Sequence, residues 1–238
     1  MSLKAVFFDI DDTLFSTTDF AEGARRAAVD AMRRRGLRLP AEHVMRELSE
    51  VISEFSSNYD QHFDKLLLRL PRRSFDGVNP AILVAAGVQA YHDAKPRRLR
   101  PFPDVPPVLE RLARTDLVRG VITAGLAVKQ ADKLLRLGVY EFFTPTAIFI
   151  SDQIGISKPN AKLFQRACEE VGVEPGETMH VGDHPTHDID PANRLGMVTV
   201  LVRRGRHGRE EGKSRPRHEL GSFKELLTIL RKDYSVRA

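Results

Sequence analysis

Three carboxylates and a hydroxyl directly follow the first apolar run of the chain. The run at 6–8 is followed by Asp9, Asp11, Asp12 and Thr13. Acidic groups are costly to bury unless they are paired or bind a cation. Asp9 and Asp11 are two positions apart, so their side chains point the same way if the chain is still extended there. The pattern indicates a divalent cation between carboxylates at the end of a core strand, and hence metal-assisted catalysis.

Three further segments place polar side chains at the ends of apolar runs or close to them. In one, Thr123 is followed by the small residue Ala124. In another, Lys158 stands just before the start of a helical pattern, and in the last Asp183 and Asp188 follow an apolar run. Ligands of an open parallel sheet bind at the carboxyl ends of its strands. We therefore expect these side chains to converge with the first group.

Short apolar runs that alternate with helical patterns would position these residues. Such runs are typical of buried parallel strands and cover 4–9, 118–123, 147–150, 178–182 and 198–202. Strands that alternate with helices predict an α/β fold with a parallel sheet and right-handed crossover connections.

Strand patterns are missing from a long segment after the first run. Apolar residues recur there at helical spacing, which predicts a helical subdomain over 17–98 inserted into a sheet domain made of 1–16 and 99–238. Arginine, glycine, histidine and glutamate dominate 203–218, which predicts a mobile surface loop. A final helix is expected over about 222–231.

Composition narrows the class of protein. The chain has 238 residues, of which 42% are hydrophobic and 29% charged, as in ordinary globular proteins. It contains no apolar stretch near the roughly 18 residues of a membrane span and no N-terminal pattern of a secretory signal. The single cysteine, Cys168, fits a reducing compartment. We expect a cytoplasmic protein that does not associate with membranes.

The charge pattern does not indicate a nucleic-acid partner. The net charge is +5, from 37 basic and 32 acidic residues. Nucleic-acid binding proteins concentrate basic residues on one face and interleave aromatic ones. Here the arginine clusters are dispersed along the chain and tryptophan is missing. The expected partner is a small anionic substrate, and the sequence gives no indication of the oligomeric state.

The four motifs, in this order, resemble those of the haloacid dehalogenase superfamily, most of whose members are phosphatases. The helical segment between the first two motifs is similar to the α-helical C1-type cap of the branch that contains nucleotidases and sugar-phosphate phosphatases. The resemblance implies a Rossmann-like, doubly wound parallel sheet core with an inserted α-helical cap. It also implies a magnesium-dependent phosphomonoester hydrolase that acts on a small phosphorylated metabolite through an aspartyl-phosphate intermediate.

The resemblance also implies a role for each motif residue. Asp9 would be the nucleophile, and Asp11 would protonate the leaving alkoxide and then deprotonate the attacking water. Thr123 and the backbone N–H of Ala124 would hold the phosphoryl oxygens. Lys158 would neutralise charge that develops in the transition state.

The same resemblance implies a Mg²⁺ site, which suits hard oxygen ligands. Its ligands would be the Asp9 carboxylate, the Asp11 backbone carbonyl and Asp183. Asp188 would act on the site through water or by orienting a ligand. Asp12 would help to bind phosphate through its backbone amide.

Two histidines, His184 and His187, lie between the acidic residues of the last motif. Mg²⁺ avoids imidazole, so we interpret them as loop residues that could still bind Zn²⁺ or Ni²⁺ at an inhibitory or adventitious site.

Three alternative functions remain open on the sequence. A 2-haloacid dehalogenase uses the same aspartate nucleophile, but has an aromatic residue in place of Asp11 and needs no metal, so Asp11 and Asp183 argue against it. A phosphomutase shares the aspartate pair and differs mainly in excluding water. A response-regulator-like signalling module would gather similar residues, but such receivers are about half this length.

Overall fold

The computed structural model describes residues 2–204, 207 and 210–237. Within them, six parallel strands form one sheet in the order β3-β2-β1-β4-β5-β6. The strands are β1 (Ala5–Phe8), β2 (Val118–Thr123), β3 (Ile148–Ile150), β4 (Thr178–Gly182), β5 (Val198–Val202) and β6 (His218–Leu220). The predicted α/β fold with a doubly wound parallel sheet is confirmed.

Helices flank the sheet and also form a separate block after β1. The α-helices are α1 (Thr17–Arg34), α2 (Ala41–Phe55), α3 (His62–Arg69), α4 (Pro80–Arg98), α5 (Val105–Leu112), α6 (Ala127–Leu137), α7 (Ser151–Ile154), α8 (Ala161–Val171), α9 (Asp190–Arg194) and α10 (Lys224–Tyr234). A single π-helical turn, Pro185–Ile189, lies between β4 and α9. No helix in the described part of the chain is long and apolar enough to cross a membrane.

Burial explains why the central strands form. Every residue of β1, β4 and β5 is buried, as expected for strands covered by helices on both faces of a parallel sheet. Gly120 on β2 allows a close approach, because a Cβ there would lie 2.4 Å from the ring of Phe7. The sheet is therefore a rigid base for the residues at its strand ends.

The segment 203–218 is predicted as a mobile surface loop, but part of it is anchored by hydrogen bonds and it leads directly into the sixth strand. Of that predicted loop, 205, 206, 208 and 209 lie outside the described residues. The carboxylate of Asp190 accepts hydrogen bonds from the N–H groups of Lys213 at 2.9 Å and Ser214 at 2.8 Å, which anchors this part of the segment. The edge strand β6 was not predicted, because it has only three residues and a single buried one, Leu220, and so shows no apolar run.

Contacts divide the chain into two compact units. One comprises Met1–Thr18 and Leu99–Ala238 and contains the sheet. The other, Asp19–Arg98, is helical and has its own apolar core, which includes Val44, Leu48, Phe63, Leu66 and Leu83. The helical insertion predicted from the sequence covers 17–98.

Candidate active site

The carboxyl ends of three neighbouring strands carry the predicted motif residues. Asp9 directly follows β1, Thr123 ends β2, and Asp183 directly follows β4. Because β1 lies between β2 and β4, the order of the strands reverses at this point of the sheet. Ligands of open α/β sheets bind in the crevice that such a reversal creates.

Asp9 is held through both its backbone and its carboxylate. Its N–H donates to the carbonyl of Val181 at 2.9 Å, and its Oδ1 accepts from Lys158 Nζ at 2.7 Å. Both side chains are buried. Burial raises the pKa of Asp9. Burial alone would lower the pKa of Lys158, but the adjacent Asp188 and Asp9 raise it above its usual range, so the ammonium stays charged.

Asp188, in the π-helical turn, accepts hydrogen bonds from three groups. Its Oδ1 accepts from Lys158 Nζ at 2.5 Å and from His180 Nε2 at 3.1 Å, and its Oδ2 accepts from the backbone N–H of His184 at 3.1 Å. Burial opposes ionisation of Asp188, but Lys158 and His180 outweigh it and hold the pKa of this carboxyl below its usual range. Asp188 is thus a constrained, ionised carboxylate.

Asp183 completes a buried acidic cluster. Ligand-type oxygens of Asp9, Asp183 and Asp188 lie within 4.8 Å of one another. Burial, with Asp9 and Asp188 nearby, raises the pKa of Asp183 to about 9. Its Oδ2 is buried and has no hydrogen-bond partner among the described residues. Of the described lysines and arginines, only Lys158 forms an ion pair with this cluster. Three carboxylates, one lysine and an unsatisfied oxygen fit a hard divalent cation.

Asp11 belongs to a different set of contacts. Both of its carboxylate oxygens accept from Lys133 Nζ at 2.6 Å, and Oδ2 also accepts from Gln130 Nε2 at 3.2 Å. Asp9 pairs with Lys158 and Asp11 with Lys133, so the two carboxylates that were expected to flank one cation make separate ion pairs. The Asp11 carboxylate is therefore not part of the acidic cluster, although its backbone carbonyl remains a predicted ligand.

The predicted phosphate-binding residues lie on the loops after β1 and β2. Asp12 has a positive φ of 55°, and its Oδ1 accepts from the N–H of Thr17 at 2.9 Å, so its side chain caps α1. The hydroxyl of Thr123 is buried and makes no hydrogen bond with any described residue. Ala124 follows it, and its carbonyl accepts from Gln130 Nε2 at 2.9 Å. The Thr123 hydroxyl is thus unsatisfied at a strand end.

The structure brings Asp9, Lys158, Asp183 and Asp188 into one cluster and places Asp11 beside α6. Sequence reasoning missed Lys133 and Gln130, which contact Asp11, and His180, which contacts Asp188. Two signals were present. Gln130 is a polar residue on the buried stripe of α6, and His180 is a titratable residue within a fully buried strand. No feature of the sequence around Lys133 marks it as a contact of Asp11.

Comparisons with known proteins identify the family to which the chain belongs. A family model for haloacid dehalogenase-like hydrolases matches residues 3–196. The chain is 46% identical to a glyceraldehyde 3-phosphate phosphatase of Methanopyrus kandleri, over 96% of this chain and 97% of that protein. Among solved structures, it is similar to a HAD phosphatase from Thermococcus onnurineus, with 26% identity, a TM-score of 0.68, and 96% and 98% of the two chains covered. It is also similar to a 2-haloacid dehalogenase from Pseudomonas syringae pv. Tomato, with 27% identity, a TM-score of 0.63, and 97% and 99% covered. The chain therefore belongs to the haloacid dehalogenase-like hydrolase family.

Proposed function

We propose that this chain is a Mg²⁺-dependent phosphatase that hydrolyses glyceraldehyde 3-phosphate to glyceraldehyde and orthophosphate. The observation that carries the proposal is its 46% identity, over nearly both full lengths, to a relative named for that activity. The family also includes enzymes that act on carbon, as the similarity to a dehalogenase structure indicates. The presence of Asp11 and Asp183 supports phosphate as the group attacked.

The reaction we propose has two steps. The Asp9 carboxylate attacks phosphorus in line and forms an aspartyl-phosphate, while Asp11 protonates the departing alkoxide. Asp11 then deprotonates a water molecule, which attacks phosphorus, releases orthophosphate and restores Asp9. Thr123 and the N–H of Ala124 hold phosphoryl oxygens, and Lys158 offsets the negative charge that builds up on them. The Lys158–Asp9 distance of 2.7 Å supports this assignment.

The acidic cluster supports a resident cation. When bound, Mg²⁺ supplies positive charge that offsets the repulsion between an anionic nucleophile and an anionic phosphoryl group. The carboxylates of Asp9 and Asp183 and the backbone carbonyl of Asp11 would hold it. Asp188 would act on the cation through water or by orienting another ligand, because its own oxygens already accept hydrogen bonds from Lys158, His180 and His184. Asp12 would contribute its backbone amide to phosphate binding.

The nucleophile assignment predicts a complete loss of turnover in the Asp9→Asn variant. An amide is a far weaker nucleophile than a carboxylate, so orthophosphate release from glyceraldehyde 3-phosphate should fall to background in a colorimetric phosphate assay. The matched control, Asp116→Asn, changes an exposed aspartate just before β2 and should leave kcat unchanged. Full activity of Asp9→Asn would refute the assignment.

The metal assignment predicts that Asp183→Asn raises the Mg²⁺ concentration needed for half-maximal activity by at least about tenfold, since it removes a charged oxygen ligand. Initial rates over a Mg²⁺ titration measure this value, with Asp116→Asn again as the control. Wild-type activity that persists in excess EDTA would contradict the metal requirement.

We also propose that the helical unit Asp19–Arg98 is the cap and selects the substrate, because the residues assigned above contact only the phosphoryl group and the metal. Relative kcat/KM values for glyceraldehyde 3-phosphate, its isomer dihydroxyacetone phosphate and p-nitrophenyl phosphate measure that selection. Transfer of phosphate to a second hydroxyl of a sugar phosphate, rather than its release to water, would identify a phosphomutase instead.

A further inference from the structure

Imidazole rings from two different loops meet beside the π-helical turn. The ring centroids of His184 and His207 are 4.1 Å apart and the rings are inclined by 22°. The His187 ring centroid is also 4.1 Å from that of His184. Nδ1 of His207 lies 2.8 Å from Oε1 of Glu210. Ligand-type atoms of His184, His207 and Glu210 lie within 4.8 Å of one another, close enough for one ion to contact all three.

This group differs in chemistry from the acidic cluster. The acidic cluster offers only oxygen atoms, whereas the second group offers two imidazole nitrogens and one carboxylate oxygen. Imidazole ligands favour Zn²⁺, Ni²⁺ and Co²⁺ over Mg²⁺. Two histidines and one glutamate are also a donor set that leaves a fourth position open on tetrahedral Zn²⁺.

The strand order brings the two loops together. His184 follows β4, His207 and Glu210 follow β5, and these strands are neighbours in the sheet, with Val181 paired to Val200. Thr186 supports the arrangement, because its hydroxyl lies 3.4 Å from Nδ1 of His184 and 3.2 Å from Nδ1 of His187.

We propose that His184, His207 and Glu210 form a second metal site, which binds one borderline divalent ion such as Zn²⁺ and is separate from the acidic cluster. The ion would join the loop after β4 to the segment after β5. It does not depend on the proposed phosphatase reaction, since none of its three ligands is assigned a catalytic role.

The full-length protein in saturating Mg²⁺ should bind one Zn²⁺, as measured by competition with a chromophoric chelator. Loss of an outer partner of a metal ligand commonly lowers affinity by about 10- to 100-fold, so the loss of a ligand in His207→Ala should lower Zn²⁺ affinity by at least about 100-fold. Glu210→Gln should lower it as well. The matched control, His92→Ala, changes an exposed histidine of α4 and should bind Zn²⁺ like the wild type.

A second comparison separates the two sites. Asp183→Asn should keep its Zn²⁺ affinity, because it alters only the acidic cluster. If Asp183→Asn loses Zn²⁺ binding and His207→Ala retains it, the ion binds at the acidic cluster and the proposal is wrong. Equal affinities of wild type and His207→Ala would overturn it too. Melting curves of each variant without Zn²⁺ show whether a loss of Zn²⁺ affinity is caused by misfolding.

Discussion

Asp9 and Asp11 are two positions apart, yet their carboxylates bind different lysines. Asp9 is paired with Lys158, and Asp11 is paired with Lys133 on α6. Proteins often divide chemical tasks between two carboxylates by giving them different environments. Here the separate lysines give the proposed nucleophile and the proposed proton-transfer group independent surroundings.

We therefore infer that Lys133 positions Asp11, and we predict that Lys133→Met lowers kcat by at least about tenfold with little change in KM. Asp11 would lose the ammonium that contacts both of its oxygens, and misplacement of a proton-transfer group slows the chemical step. Steady-state kinetics with glyceraldehyde 3-phosphate separate the two constants. The control is Lys129→Met, an exposed lysine of the same helix. A rise in KM at constant kcat would show that Lys133 binds substrate instead.

Among the secondary-structure elements, β4 lies directly beside the acidic cluster. His180 lies within the strand, Gly182 ends it, and Asp183 follows it directly. Gly182 leaves room for Asp188, because a Cβ at this position would lie 2.4 Å from Cγ of Asp188 and 2.6 Å from its Cβ. The strand end thus determines where the Asp188 carboxylate can lie.

We predict that Gly182→Ala lowers the free energy of unfolding by about 1 to 3 kcal/mol, as overpacking of a buried site commonly does. It should also reduce kcat, because displacement of Asp188 disturbs its hydrogen bonds to Lys158 and His180. Urea unfolding and phosphate release measure the two effects. Gly176→Ala is the matched control, since a Cβ there meets no atom within 4 Å. Equal stability of both variants would show that the packing around Asp188 is not restrictive.

At the scale of the whole sheet-containing unit, one carboxylate joins three segments that are distant in sequence. Asp104, just before α5, pairs with Arg204 after β5. It also accepts from the hydroxyl of Ser222 at 2.8 Å and from the N–H of Phe223 at 2.9 Å, just before α10. Burial opposes its ionisation, but these donors outweigh it and hold the pKa of Asp104 below its ordinary value.

We predict that Asp104→Ala lowers the free energy of unfolding by about 1 to 2 kcal/mol at neutral pH, the scale of charged hydrogen bonds at a partly exposed site. Because the folded pKa is lowered, this contribution is complete above the unfolded value of 3.8 and is lost as the pH falls through the folded value. The gap between wild type and variant in urea unfolding should therefore shrink below that pH. Asp116→Ala, at an exposed position before β2, is the control. A gap that does not change with pH would contradict the ionic origin.

The sequence was sufficient to predict five of the six strands and the convergence of Asp9 with Asp183 and Asp188, because both depend on local patterns. Buried strands appear in the sequence as apolar runs, and the carboxyl ends of neighbouring parallel strands lie at the same edge of the sheet. The pairing of Asp11 with Lys133 could not be predicted, because Lys129 and Lys133 lie on the same helix and only tertiary packing distinguishes them. The nearness of His207 to His184 likewise depends on the path of the chain after β5.

The β2–α6 pair joins two parts of the proposed site through a short stretch of chain. Thr123 ends the strand, whereas Gln130 and Lys133 on the following helix contact Asp11. The spacing between Thr123, the proposed phosphate contact, and the side chains that contact Asp11 is therefore set largely by this short stretch of chain. Asp11 itself follows β1, so its contacts with these two side chains tie α6 to the end of the neighbouring strand, and a slide of β2 along β1 would disturb them.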